Sequence, residues 1–172
     1  MVGGTTNTEV LVAEIDQMLK ANEEWAQRFP GSKPVRPARK VAVVACMDSR
    51  IPLFGVLGLE IGDAHVIRNA GGVITEDTIR SLTISQHALG TREIVLVHHT
   101  ECGMQSTDDV AFADTVEQAT GRRPPWAPRM FVSVDDDVRE SIRLIQECPY
   151  LLSTEVRGTV YDVETGRLRE VV

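Results

Sequence analysis

"VAVVACMDSRIP", residues 41–52, opens with seven apolar or small residues and then changes character. A short β-branched run without polar alternation is the pattern of a strand buried on both faces. Where the run ends, a thiol, a carboxylate and a guanidinium stand at alternate positions: Cys46, Asp48 and Arg50. "REIVLVHH" (92–99) is a second near-continuous apolar run, and it too ends in reactive side chains, His98 and His99. Between the two lie "GDAHVIRNAGG" (62–72) and "TEDTIRSLTISQHALG" (75–90). The first is expected to hold a turn, a strand from His65 to Asn69 and a bend that its glycines permit. The second reads as a helix with Thr75 as cap, acids in its first turn and Gly90 after its last. Strand, helix and strand at this spacing predict a parallel sheet with crossovers, whose ligand-bearing loops gather at the carboxyl ends of the strands.

Working outward, "TEVLVAEIDQMLKANEEWAQRF" (8–29) has the apolar spacing of an amphipathic helix, with Thr8 as cap and Pro30-Gly31 closing it. The segment that follows is rich in proline and basic residues, as a surface linker is. Residues 107–120 suggest a further helix, and "GRRPPWAPR" (121–129) a turn-rich loop. "SVDDDVRESIRLIQEC" (133–148) carries a capping box in Ser133 and Asp136 ahead of an apolar stripe. The tail offers two strand-like runs around Glu164-Thr165-Gly166, the pattern of an antiparallel hairpin. The fold class expected is α/β, a central, mostly parallel sheet flanked by helices. One domain is expected over residues 1–172, with an N-terminal helical arm and linker (1–39) and an α/β core (40–172) that ends in the hairpin.

With 172 residues, 42% of them hydrophobic, the chain can bury a core of its own. Its formal charge of −7 and lack of long like-charged blocks argue against nucleic acid as a partner and for a small molecule. No apolar run approaches the ~18–20 residues that cross a bilayer, and the amino-terminal residues do not resemble a signal peptide, so a cytoplasmic protein is expected. Three cysteines, an odd number, point to reduced thiols in place of a disulfide scaffold. Cys148 has no His or Cys at ligand spacing and reads as a small core residue.

The second polar cluster is "HHTECGM" (98–104). His99 and Cys102 are spaced so that a strand end and its following loop can close on one metal ion. With Cys46 from a neighbouring strand they form a Cys₂His set, the donors zinc selects over magnesium or calcium. H-x-x-C alone is weak evidence. Two polar breaks that each terminate an apolar strand of an α/β pattern are, however, expected to meet in space. Three protein ligands leave a fourth position for water or a carboxylate. Asp48 is the candidate for it, and the competing arrangement is an Asp48–Arg50 ion pair that holds the carboxylate off the metal. His98 is expected to point away from the metal if His99 points toward it. His65 and His87 lack metal-spaced partners.

These residues resemble the β-class carbonic anhydrases: C-x-D-x-R as Cys46-Met47-Asp48-Ser49-Arg50, H-x-x-C-G as His99-Thr100-Glu101-Cys102-Gly103, with "GDAHVIRNAGG" between them. The resemblance implies a zinc enzyme, a carbonate dehydratase that hydrates carbon dioxide reversibly to bicarbonate and a proton. It assigns Zn2+ to Cys46, His99 and Cys102 and the catalytic dyad to Asp48 and Arg50, while Asp48 stays the candidate for the fourth metal position from the residues themselves. It implies a homodimer or homotetramer, the N-terminal helix lying across the partner. Arg68 matches an arginine that in some relatives helps bind bicarbonate at a regulatory site, but the accompanying aromatic residues have no identifiable match. Zinc lowers the pKa of bound water from about 15.7 toward neutrality, which supplies a nucleophile for an electrophilic carbon. Two further readings stay open: a carbonyl sulfide or carbon disulfide hydrolase using the same ligands, and a non-catalytic zinc protein with Asp48 closing the fourth position.

Overall fold

The computed structural model describes residues 8–106 and 108–172, the first six of them by backbone alone. The chain divides into two units, Met1–Lys33 and Pro34–Val172. In the first, α1 (Thr8–Ala26) forms the expected helix, three residues shorter at its end than the apolar pattern suggests. Backbone bonds from Arg28 to Trp25 and from Phe29 to Ala26 close its last turn. The side chain of Thr8, the expected cap, lies outside the described residues.

The second unit is built on β1 (Val41–Cys46), α2 (Leu53–Leu57), β2 (Ala64–Asn69), α3 (Glu76–His87), β3 (Glu93–His99), α4 (Asp109–Thr120), α5 (Val134–Gln146), β4 (Glu155–Tyr161) and β5 (Leu168–Val171). Its sheet has the order β2-β1-β3-β4-β5, with parallel pairing throughout except for the antiparallel β4–β5 hairpin. Five of the six residues of β1 are buried, as a central strand covered on both faces requires. Alternate residues serve two cores. Val43, Ala45 and Val97 pack with Leu53 of α2 and Phe131, whereas Ala42, Val44, Ile94 and Leu96 pack with Leu82 of α3 and Ile145 of α5.

This division follows from handedness. The chain steps from β1 to β2 in one direction and from β2 past β1 to β3 in the other, and right-handed crossovers then require α2 and α3 on opposite faces. The reversal makes the carboxyl ends of β1 and β3 the switch point of the sheet, where loops part and leave a crevice.

Local chemistry fixes the ends of the elements. The Thr75 side chain accepts from the Thr78 amide at the start of α3, and Ser133 accepts from the Asp136 amide at the start of α5. The capping box of α5 is only half made, because the Asp136 carboxylate takes Arg139 at 2.9 Å. At the hairpin, Asp162 accepts from the Glu164 and Thr165 amides, and Gly166 takes the left-handed conformation with φ of 71°. The first strand of that hairpin also pairs in parallel with β3, from Glu93 opposite Glu155 to His99 opposite Tyr161. The short α2 is an element the sequence pattern does not announce. No described helix is long and apolar enough to cross a membrane.

Candidate metal centre

Cys46 ends β1 and His99 ends β3, on adjacent strands, and Cys102 lies in the turn beyond His99. All three are buried, and their ligand atoms lie within 4.8 Å of one another; the two sulfurs are 3.9 Å apart and not bonded. The His99 ring is oriented by its Nδ1, which donates to the Thr100 carbonyl at 2.9 Å. That bond leaves the Nε2 lone pair facing the sulfurs. Nε2 is buried and has no hydrogen-bond partner among the described residues.

The donor electrostatics suit a soft cation. The Cys46 thiol is pushed down, first by the Cys102 thiol beside it, against the upward push of burial, with help from His99. Cys102 moves the opposite way, raised by the ionised Cys46 and by burial. Two sulfurs this close disfavour ionising together, and a divalent cation between them would relieve that repulsion. Burial lowers His99, but Cys46 and Asp48 outweigh it and raise its pKa. A buried, unpartnered imidazole nitrogen facing two adjacent thiols fits zinc with three protein ligands.

Two residues further along the chain than Cys46, Asp48 is gripped by Arg50. The guanidinium donates from Nε to Oδ1 at 3.0 Å and from Nη2 to Oδ2 at 2.9 Å, and the Arg50 amide also donates to Oδ1. This fork holds the Asp48 carboxyl well below the usual carboxylate range. Its Oδ2 nevertheless lies only 3.7 Å from His99 Nε2, at the edge of the donor cluster. Cys46, Met47, Asp48, Ala70, Gly71, Cys102, Gly103 and Met104 line a cavity of about 260 Å³.

Some residues shape this centre in ways the sequence does not indicate, and Arg68, matched in sequence only to a regulatory-site arginine, is one of them. Arg68 of β2 donates to the Cys46 carbonyl at 3.0 Å and to the Asp48 carbonyl at 2.7 Å, so it pins the backbone on either side of Met47. Gly72, with φ of 75°, lies so close to β1 that a Cβ there would be 2.9 Å from the Cys46 nitrogen. The glycine-permitted bend was readable, but not its close approach to Cys46. Glu101 meets Arg50 through its carboxylate and its carbonyl, and no local pattern singles it out.

The remaining histidines and Cys148 fall elsewhere. His98 faces the α5 side, its ring tilted against Phe131 and its Nδ1 3.1 Å from Asp137 Oδ2. The two are close but poorly aligned, and neither ring nitrogen has a hydrogen-bond partner among the described residues. His65 lies toward the opposite end of the sheet from Cys46, bonded to Ser85, and His87 bonds the Tyr150 carbonyl. Cys148 is half-buried against a separate cavity with Ile74, Ile79 and Leu144.

The carbonic anhydrase family model matches residues 41–168, a span that holds all three donors and the Asp48–Arg50 pair. The chain belongs to the β-carbonic anhydrase family. It is 48% identical to "Beta-carbonic anhydrase 1" of Mycobacterium tuberculosis over 157 residues, 91% of this chain and 96% of that protein. Among solved structures, the carbonic anhydrase of Streptococcus mutans superposes with a TM-score of 0.86 at 40% identity, covering 92% of this chain and 97% of that one. A more distant relative, a carbon disulfide hydrolase of Acidithiobacillus thiooxidans, is 32% identical over 92% of this chain and 89% of its own. As a β-carbonic anhydrase, the chain carries two of its candidate metal donors, Cys46 and His99, on strand ends of a five-stranded sheet and the third, Cys102, in the turn after β3.

Proposed function

We propose that this β-carbonic anhydrase hydrates carbon dioxide reversibly to bicarbonate and a proton, with zinc held by Cys46, His99 and Cys102. The observation that carries the reading is the convergence of those donors with an ionised Asp48 at one cavity. When bound, zinc supplies Lewis acidity and a water acidified toward neutrality. The chain's own residues do the rest. His99 is kept in one tautomer by the Thr100 carbonyl, so that Nε2 stays available as a donor. Asp48, ionised across the neutral range, accepts a hydrogen bond from the attacking water and aims the water's lone pair at the substrate carbon. Arg50 fixes the carboxylate for that task through its fork, and Arg68 fixes the backbone beneath it. Met47, Ala70, Gly71 and Met104 give the cavity the apolar walls that a small, linear, uncharged substrate needs.

Asp48 has a second role in this reading. Its Oδ2 lies close enough to the donor cluster to take the fourth metal position when it leaves Arg50. With zinc bound, the two arrangements would be a resting and a working state of one centre. A permanently closed, non-catalytic zinc site is less well supported, because Asp48 is held by Arg50.

A carbonyl sulfide or carbon disulfide hydrolase is the alternative, favoured by the relationship to the Acidithiobacillus enzyme and by the same apolar cavity wall. Stopped-flow carbon dioxide hydration and sulfide release from carbonyl sulfide, measured on one zinc-loaded sample, separate the two. Fast hydration with little sulfide is expected, and sulfide release without hydration would replace this function with the alternative.

The protein is further proposed to act in the cytoplasm as a single functional domain, assembled as a homodimer or homotetramer in which the N-terminal unit is an arm. The amphipathic pattern of α1, with Ile15, Met18 and Leu19 exposed in the single chain, supports an assembled state.

A further inference from the structure

Arg50 does not serve Asp48 alone. Its Nη1 donates to Glu101 Oε2 at 3.3 Å and its Nη2 to the Glu101 carbonyl at 3.0 Å. Glu101 immediately precedes Cys102, so a single guanidinium ties the loop that carries Cys46 to the loop that carries Cys102. The Glu101 backbone has φ of 54°, a left-handed conformation that residues with side chains rarely adopt and that concentrates at functional sites. Two acceptors of one residue thereby reach the same cation.

We infer that Glu101 is a positioning residue that acts through Arg50: its carboxylate keeps the guanidinium paired when Asp48 turns toward the metal, and so sets how readily Asp48 exchanges between the two. The inference rests on the reading above that Asp48 reaches the fourth metal position. Leaving Arg50 costs Asp48 three hydrogen bonds, from the Arg50 amide, Nε and Nη2. With Glu101 present, the guanidinium left behind still has a carboxylate partner. Without it, an uncompensated positive charge draws Asp48 back. Both the Arg50 and the Glu101 side chains are substantially exposed, at 46% and 61%, so solvent screens the effect. A shift of roughly two- to fivefold in the exchange equilibrium is the scale that an exposed ion pair supplies.

The test is a double-mutant cycle read as zinc affinity, by competition with a chromophoric chelator at one fixed pH, so that it does not depend on turnover. Glu101→Gln keeps the shape and a carbonyl acceptor but removes the charge. It is expected to weaken zinc binding roughly two- to fivefold when Asp48 is present and to have no effect beside Asp48→Asn. Equal weakening in both backgrounds would show a merely structural role and overturn the inference, as would wild-type affinity in Glu101→Gln. If Asp48→Asn itself binds zinc as tightly as wild type, Asp48 does not reach the metal, and that earlier reading fails and takes the inference with it. Glu101→Gly relieves the left-handed backbone and controls for folding. It is expected to show the Glu101→Gln affinity with an unchanged or higher thermal midpoint, and wild-type affinity there would also overturn the inference.

Discussion

At the scale of the residue, Asp48 stands between two claims on its charge, the fork of Arg50 and the donor cluster beside His99. Arg50 lowers its pKa, chiefly through its side chain and then through its amide, so Asp48 is ionised at every pH at which the enzyme would work. A carboxyl lowered by folding adds stability that is present above its unfolded pKa and disappears as pH falls through the folded value. The difference in thermal midpoint between wild type and Asp48→Asn is therefore expected to stay constant above about pH 5 and to shrink below it. Asp48→Asn is also expected to remain zinc-loaded while losing most hydration activity in stopped-flow assays. Cys102→Ser is expected to lose zinc and rate together, measured as metal per chain and turnover. Near-normal turnover in Asp48→Asn would remove the dyad from the mechanism.

The donors were legible because they gather where two apolar runs end in polar breaks, and His98 was separable from His99 because neighbouring strand residues face opposite ways. What stayed hidden depends on approach in space. Nothing local marks Gly72 as the residue against which Cys46 packs, or Glu101 as a partner of Arg50.

At the scale of the element, the packing of α5 on the sheet turns on Gly158 of β4. A Cβ there would lie 2.2 Å from Val138 Cγ1 and 2.9 Å from Ile142 Cδ1, both on α5. Gly158→Ala is expected to cost about 1–3 kcal/mol by overpacking, read as a lowered urea midpoint. Ser133→Ala, which removes the cap of the same helix, is expected to cost about 1 kcal/mol in the same measurement. Caps and apolar stripes made α3 and α5 readable, because the chemistry that starts a helix is local. The α2 helix spans only Leu53–Leu57 and contains Gly55, too little for a helical period to emerge. The parallel pairing of β4 with β3 joins residues about sixty apart, from Glu93 opposite Glu155 onward, and only the nearby antiparallel partner β5 leaves a local trace.

At the scale of the molecule, the reversal of strand order between β1 and β3 is what turns separate residues into a centre. The reversal itself appears only in the structure. The alternating strand and helix pattern implied parallel strands whose loops gather at their carboxyl ends, which is why Cys46 and His99 could be expected to meet. Their exact separation depends on packing that the pattern does not encode. Two thiolate donors cancel the double charge of a divalent ion, so hydration activity is expected to rise toward alkaline pH, and a profile flat from acid to alkaline would contradict this. The proposed assembly is expected to give a sedimentation mass of two or four chains that falls on dilution; a single-chain mass at all concentrations would leave α1 without the proposed role.

The central claim is that Cys46, His99 and Cys102 share one zinc ion. X-ray absorption at the zinc edge of the loaded protein tests it most directly. The expected first shell holds two sulfurs, one imidazole nitrogen and one further light atom, with one sulfur lost in Cys46→Ser. A shell without sulfur, or one unchanged by Cys46→Ser, would contradict it.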